Sequence, residues 1–211
     1  MLTKSDLWHQ NEMPAINDIS LQLYKDFYVN DLLPLRFYYV FTDESSLSVK
    51  FAPSKFRHLL GIQHIDRTTT DDNIFQMIDD GLCFDSWKAD SRVRKKFNDM
   101  KDRIALFACC YHTLLHARIF YYPDANVPTS PNVKMEYLLH QQISNMGMNL
   151  GLKTVKGDLV PSTILPTRIN KLKRYIDTSK EKFVKELVVR DGERIVEHVI
   201  YSDNFIMKAT D

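Results

Sequence analysis

Apolar residues recur every three or four positions through residues 16–30, at Ile16, Ile19, Leu23 and Phe27. That spacing marks one face of a helix, which Pro34 ends. The period then changes. LRFYYVFT reads as a strand, DESS as a polar turn and LSVKF as a second strand with Leu47, Val49 and Phe51 on one face, so the pair forms a hairpin. Pro53 opens the next helix through SKFRHLL, and Gly61 stands where a left-handed residue stops it. DDNIFQMIDDG reads as another short helix ending at Gly81. From Ser91 onward, Val93, Phe97, Met100, Ile104, Phe107, Tyr111 and Leu114 alternate steps of four and three. This predicts one continuous helix lying against a sheet or other helices.

The later half is more extended. ARIFYY, EYLLHQQ, MNLGLK and LVPSTIL read as strands, with KGD a turn between the last two and PDANVPTSPN a proline-punctuated loop before them. A basic helix, TRINKLKRYIDTSK, follows Pro166, and FVKELVVRDGERIVEHVIYS forms a hairpin through Asp191-Gly192. The pattern predicts an α+β fold, a mainly antiparallel sheet packed against several helices. One domain spans residues 1–211, with a subdivision near 123–132 as the alternative.

Composition agrees with a single packed core: 211 residues, 44% hydrophobic and 11% aromatic. Six glycines argue against a glycine-rich nucleotide-binding architecture. The net charge of +1 decides nothing about nucleic acid, but local charge is uneven. Residues 88–103 and 168–185 each carry seven basic side chains against three and two acidic ones, whereas residues 71–90 hold six aspartates. Such segments make either a positive groove with a negative rim or ordinary solvated helix faces. Cys83, Cys109 and Cys110 do not form a disulfide framework. With no apolar leader and no apolar run long enough to span a bilayer, the expectation is a cytoplasmic protein without a membrane partner.

Candidate chemistry begins in residues 51–72, FAPSKFRHLLGIQHIDRTTTDD. Histidine exchanges protons near neutrality. In a helix from Ser54, His58 stands beside Lys55 while Phe56, Leu59 and Leu60 anchor the segment. RNA phosphodiester cleavage by the ribose 2′-hydroxyl needs such a set: one group to take the hydroxyl proton, one to protonate the departing 5′-oxygen, and cations for the charge on phosphorus. The nucleophile belongs to the substrate, so no metal or other cofactor is expected. Lys55, Arg57 and Arg67 are candidate phosphate contacts, and Thr68, Thr69 or Thr70 candidate hydrogen-bond donors. The same residues also suit a capped helix facing water, with Thr70 as cap.

His112 and His116 stand at i and i+4, one turn after Cys109. These are zinc-ligand types, but HTLLH lacks the glutamate of HExxH. Flanking the apolar stripe, or for His112 lining the same pocket as His58, is the simpler reading. Ser162 and Thr163 follow a proline on a predicted strand, a rigid place for a hydroxyl. Arg168, Lys171, Lys173 and Arg174 suit a nucleic-acid backbone, and Tyr121 and Tyr122 suit base stacking; strand packing and solvation are their ordinary alternatives.

The strand LSVKF followed by FRHLLGIQHI resembles the strand and F-x-HLLG pattern of PBECR4, a phage-associated family related to barnase, EndoU, colicin E5/D and RelE ribonucleases. MNLGLKTVKGDLVPSTIL is similar to that family's closing strand pair, with Leu159-Val160 where a bulkier step precedes the proline. The likeness runs from about residue 35 to 165, leaving the N-terminal helix and the final hairpin outside. It implies an endoribonuclease-like α+β domain carried by mobile elements, acting as a toxin or in phage conflict. It places the family's histidine at His58, its glycine at Gly61 and its hydroxyl at Ser162 or Thr163.

The combined expectation is a metal-independent endoribonuclease. His58 acts as general base or acid, and His112 is the candidate for the second proton transfer. Lys55, Arg57 and Arg67 stabilise the phosphate, and Ser162 or Thr163 orients it. Its partners are RNA and an antitoxin or host protein. Two alternatives stand beside it: a non-enzymatic phage or mobile-element protein that binds a host protein through the acidic residues 71–90, and a nucleic-acid-binding protein that does not cleave.

Overall fold

The computed structural model describes residues 1–123 and 134–201, with Leu172 and Lys173 in backbone only. Residues 124–133, on which most of the expected proline-punctuated loop and the alternative subdivision near 123–132 fall, lie outside the described residues. Thr3 caps helix α1 (Lys4–Leu7). The helix expected over residues 16–30 is broken. Residues 16–18 form a single 3-10 turn, Ser20 is extended, and its hydroxyl accepts from the Leu23 amide at 3.0 Å. Serine therefore starts a fresh helix, α2 (Leu21–Phe27), instead of sitting inside one. After α2 the backbone widens into a π turn through Tyr28–Leu32 and reaches Pro34.

The first hairpin is present as β1 (Leu35–Phe41) and β2 (Ser46–Lys50), antiparallel with Phe37 opposite Val49. Helices α3 (Phe56–Leu60), α4 (Ile62–Ile65), α5 (Ile74–Asp79) and α6 (Phe84–Ala89) follow. The expected long helix is two: α7 (Arg94–Phe107) and α8 (Cys110–His116). The buried Tyr24 hydroxyl donates to the Ile104 carbonyl at 3.0 Å, and the Ala108 and Cys109 amides shift to i−3 carbonyls. Tertiary packing thus tightens one turn of the ladder without disturbing the stripe. Phe97, Ile104, Phe107, Tyr111 and Leu114 are all buried.

The remaining strands are β3 (Arg118–Tyr121), β4 (Tyr137–Ile143), β5 (Met146–Val155), β6 (Asp158–Arg168), β7 (Glu181–Lys182), β8 (Val184–Asp191) and β9 (Arg194–Ile200). Lys156 and Gly157, both at positive φ, turn β5 into β6, and Gly192 turns β8 into β9. The basic stretch after Pro166 is not the expected α-helix. Pro166, Thr167 and Arg168 complete β6, and residues 169–175 are 3-10 turns kinked at Lys171. A strand holding Pro161 and Pro166 needs a flank without a hydrogen-bonded ladder. β6 has one, because its parallel pairing with β2 is confined to Val49 and Leu159.

All nine strands form one sheet in the order β7-β3-β4-β5-β6-β2-β1-β8-β9, antiparallel except at β2–β6. Its curl follows from connectivity. β7 pairs with β3 at one end, while β8 pairs with β1 near the other, and only Phe183 separates them. The Thr42 amide donates to the Phe183 carbonyl at 2.9 Å, tying the two ends together. Alternation along the strands then sorts side chains between two faces. Leu139 joins the large core under the helices, with Phe37, Phe56 and Phe107, whereas Leu138 joins a smaller inner cluster with Phe120, Tyr122, Met135 and Tyr175. The fold is α+β, a curled, mainly antiparallel sheet packed against several helices. No helix among the described residues is long and apolar enough to cross a membrane.

Candidate active site

Phe56, Leu59 and Leu60 bury one side of α3 and leave Arg57 and His58 half-buried on the other. Gly61 ends the helix at φ +75°, and the chain returns through α4 to the threonines. Their hydroxyls serve the turn itself. Thr68 donates to Asp66 Oδ1 at 2.7 Å, and the buried Thr69 donates to the Asp66 carbonyl at 2.8 Å. Thr70 and Asn73 exchange side-chain-to-amide bonds before α5. Thr69 is therefore inside the turn and not turned toward a ligand. The turn carries Asp71 back to α3. Arg57 Nε donates to Asp71 Oδ1 at 2.9 Å and Nη1 to the Thr69 carbonyl at 3.1 Å, while His58 Nε2 lies 3.6 Å from Asp71 Oδ2.

Arg103 joins this segment to the sheet. It lies on α7, is 8% exposed, and donates from Nε to the Leu59 carbonyl at 2.9 Å. Its Nη2 donates to the His58 carbonyl and, at 3.1 Å, to Thr163 Oγ1 on β6. Burial pushes the guanidinium down to about 10, so it stays charged at neutral pH. The HLLG pattern acquires a physical meaning: two of its carbonyls hold the arginine, and its glycine makes room. A Cβ on Gly61 would stand 2.9 Å from Met100 Sδ and 3.1 Å from Arg103 Cδ. Of the two candidate hydroxyls, Thr163 faces Arg103, whereas Ser162 donates to the Gly151 carbonyl at 3.1 Å.

Burial is the main reason that His58 titrates below its ordinary value. Asp71 opposes that shift, and Lys55, Arg57 and Arg103 reinforce it. The side chain keeps 35% exposure. It is a neutral, solvent-reachable base at pH 7, inside a positive field with one carboxylate beside it. Burial and Arg103 also lower His64.

The other sequence candidates lie elsewhere or remain on the surface. His112 Nδ1 meets the Gln141 side-chain amide at 3.0–3.3 Å, and its ring centroid is 4.4 Å from that of His116. The Cys109 thiol donates to the Glu12 carbonyl instead of joining them, and no group of three or more metal-ligating side chains is assembled among the described residues. Arg67 is exposed beside the threonine turn. Arg168 and Lys171 are exposed at and beyond the end of β6, and the Arg174 guanidinium lies 5.4 Å from the Tyr175 ring centroid. Tyr121 stacks near Tyr137 at 4.8 Å and lines a separate cavity of about 370 Å³ with Phe41, Lys180 and Phe183. Tyr122 is buried, its hydroxyl donating to the Tyr175 carbonyl at 2.6 Å.

Sequence reasoning did not single out Asp71 or Arg103, which the structure places against the His58 segment. Arg103 belongs to the basic run at 88–103, but it stands three residues after Met100 and directly before Ile104, on the flank of the buried stripe. A charge in that position must find buried acceptors, and that was the available signal.

A family model described as phage-Barnase-EndoU-ColicinE5/D-RelE like nuclease 4 matches residues 21–204. No curated protein and no solved structure matches the chain. The matched span takes in α2 and the β8–β9 hairpin, so the likeness is wider than the pattern over residues 35–165 indicated. His58, Gly61, Arg103 and Thr163 all fall within it, and the chain belongs to the PBECR4 family of nucleases.

Proposed function

We propose that the protein is an endoribonuclease that cleaves RNA by attack of the substrate's own 2′-hydroxyl. The observation that carries this reading is His58: a partly exposed, neutral imidazole among Lys55, Arg57 and Arg103, with Asp71 3.6 Å from its Nε2. Asp71 on the Nε2 side leaves Nδ1 to take the 2′-hydroxyl proton. The 2′-oxygen–phosphorus bond forms, the phosphorus–5′-oxygen bond breaks, and the Lys55 ammonium gives a proton to the departing 5′-oxygen. The products are a 2′,3′-cyclic phosphate and a 5′-hydroxyl.

Thr163, held by Arg103, orients a nonbridging oxygen; Lys55 and the exposed Arg67 offset the charge gathering on phosphorus. Arg57 keeps Asp71 in place. His112, bonded to Gln141, is not used. Because the nucleophile comes with the substrate, the chemistry calls on no metal ion. Acting as a toxin, such an enzyme would call for an antagonist in the cell that makes it, so an antitoxin or inhibitor is the expected partner. The test is incubation of total RNA with the protein and with His58→Ala, both in EDTA. Cleavage by the unaltered protein alone, with cyclic-phosphate ends, supports the proposal; intact RNA in both, or equal cleavage by both, overturns it.

A further inference from the structure

The inner face of the curled sheet carries a polar row that the reaction above does not use. Arg118 on β3, His140 on β4 and Asn149 on β5 are successive register partners, and Thr167 on β6 closes the row. Its hydrogen bonds fix every orientation. Asn149 Nδ2 donates to the Leu165 carbonyl at 2.8 Å and to Thr167 Oγ1 at 3.1 Å, and the Thr167 hydroxyl reaches the Gly147 carbonyl at 3.4 Å. Only an amide nitrogen can face the Leu165 carbonyl, so Asn149 Oδ1 is the atom 2.8 Å from His140 Nδ1. An amide oxygen accepts, so Nδ1 carries the proton and the Nε2 lone pair is available. Nε2 has no hydrogen-bond partner among the described residues.

The neighbour across the ladder supplies the complementary chemistry. Arg118 grips Glu181 with Nε at 2.7 Å and Nη2 at 2.5 Å, and lies 5.3 Å from the Phe120 ring centroid. That grip leaves the Nη1 donors uncommitted. His140 is 7% exposed, whereas the Arg118 side chain is 39% exposed, so the row opens to solvent at its arginine. Arg118 and Glu181 both act electrostatically on the His140 ring.

We propose that this row is a ribonucleotide subsite in which His140 Nε2 accepts a ribose 2′-hydroxyl and Arg118 Nη1 holds the adjoining phosphate. A fixed acceptor at that position distinguishes RNA from DNA, because the 2′-hydroxyl is the group DNA lacks. Asn149 is a positioning residue: it sets the tautomer and touches no ligand. The inference rests on RNA being the substrate class, but it does not require His58 to be the proton acceptor in cleavage.

The test is NMR of the full chain with ¹⁵N-labelled histidine, titrated with uridine 3′-monophosphate and, separately, with its 2′-deoxy counterpart. The unliganded spectrum is expected to show His140 protonated at Nδ1 and bare at Nε2. The ribonucleotide should then shift the His140 Nε2 resonance, and the deoxynucleotide should need at least tenfold higher concentration to do so. Thr167→Val, which loosens the Asn149 amide without removing the ring, should narrow that ratio. Protonation at Nε2 in the unliganded chain, equal response to both nucleotides, or no response of His140 overturns the subsite. The His58 resonance and the RNA-cleavage assay report on the catalytic reading separately, so either can fail while the other stands.

Discussion

Arg103 Nη2 and Thr163 Oγ1 are 3.1 Å apart, and sixty residues of chain close between them. The same guanidinium holds the carbonyls of His58 and Leu59. The end of α3 is therefore fastened to β6 by one buried charge, and the candidate base and hydroxyl belong to a single hydrogen-bonded unit.

Truncation of Arg103 should accordingly be costly. Arg103→Met leaves buried carbonyls and a hydroxyl without their donor, at about 3 kcal/mol of stability. Thr163→Val removes one acceptor among several and should cost about 1 kcal/mol. Urea unfolding of both variants measures the difference; near-equal midpoints would contradict the central position given to the arginine.

Gly61 should resist substitution more than Gly192 does. Both have positive φ, at 75° and 58°, which costs an alanine about 1–2 kcal/mol. At Gly61 the added methyl also meets Met100 and Arg103, whereas at Gly192 nothing lies within 4 Å. Gly61→Ala should therefore be the less stable variant in thermal unfolding, and only it should displace the His58 resonance.

Much of this fold was legible because its turns are local. KGD and Asp191-Gly192 supply the positive φ their hairpins need, and Pro53 and Gly61 bracket α3 as their chemistry requires. The errors lie where distant residues intervene. Tyr24 takes the Ile104 carbonyl and divides α7 from α8, and the one-sided pairing of β6 lets Pro166 stay within a strand. His58 stands out from its motif, and the hydroxyl stands out only as one of Ser162 and Thr163. Asp71 looked like part of a helix start, Arg103 like one of many solvated cations, and His140 like strand filler in EYLLHQQ. Each meets its partners only when the sheet curls or the helices dock, and neither event has a local signature.

The pH dependence of cleavage follows from the surroundings of His58. Its pKa is lowered in the folded chain, so on the proposed mechanism the base form prevails at neutrality and, on the acid side, the rate should fall below about pH 6.5. Asp71 opposes the lowering, so Asp71→Asn should move that limb to still lower pH. NMR titration of the His58 ring gives the same number without relying on turnover. A limb that moves upward in Asp71→Asn would contradict the electrostatic assignment.

Stability should also fall with acid. His58, His64, His116 and His140 all titrate below their ordinary value in the folded state, burial being the largest cause for each. The unfolded chain then binds their protons more readily, so stability is complete above about pH 6.5 and declines as pH drops toward the folded values. Melting temperature should therefore drop as pH falls below about 6.5. His140→Leu should flatten that slope more than His64→Leu, because His140 is buried and His64 exposed. Equal slopes in the two variants would leave burial without the stated effect.

Arg168 at the end of β6 and Lys171 beyond it are exposed, neither forming an ion pair among the described residues. If they track an RNA backbone, their contribution is counterion release, which has a signature distinct from catalysis. Each phosphate contact to a single strand adds about 0.7 to the slope of log affinity against log salt. Arg168→Ala with Lys171→Ala should therefore reduce the salt slope of RNA binding by about 1.4, while leaving the acid limb set by His58 where it is. Binding at several salt concentrations decides the matter. An unchanged slope would remove both residues from the RNA path, and a shifted limb would mean that they act on His58 through space instead of on the strand.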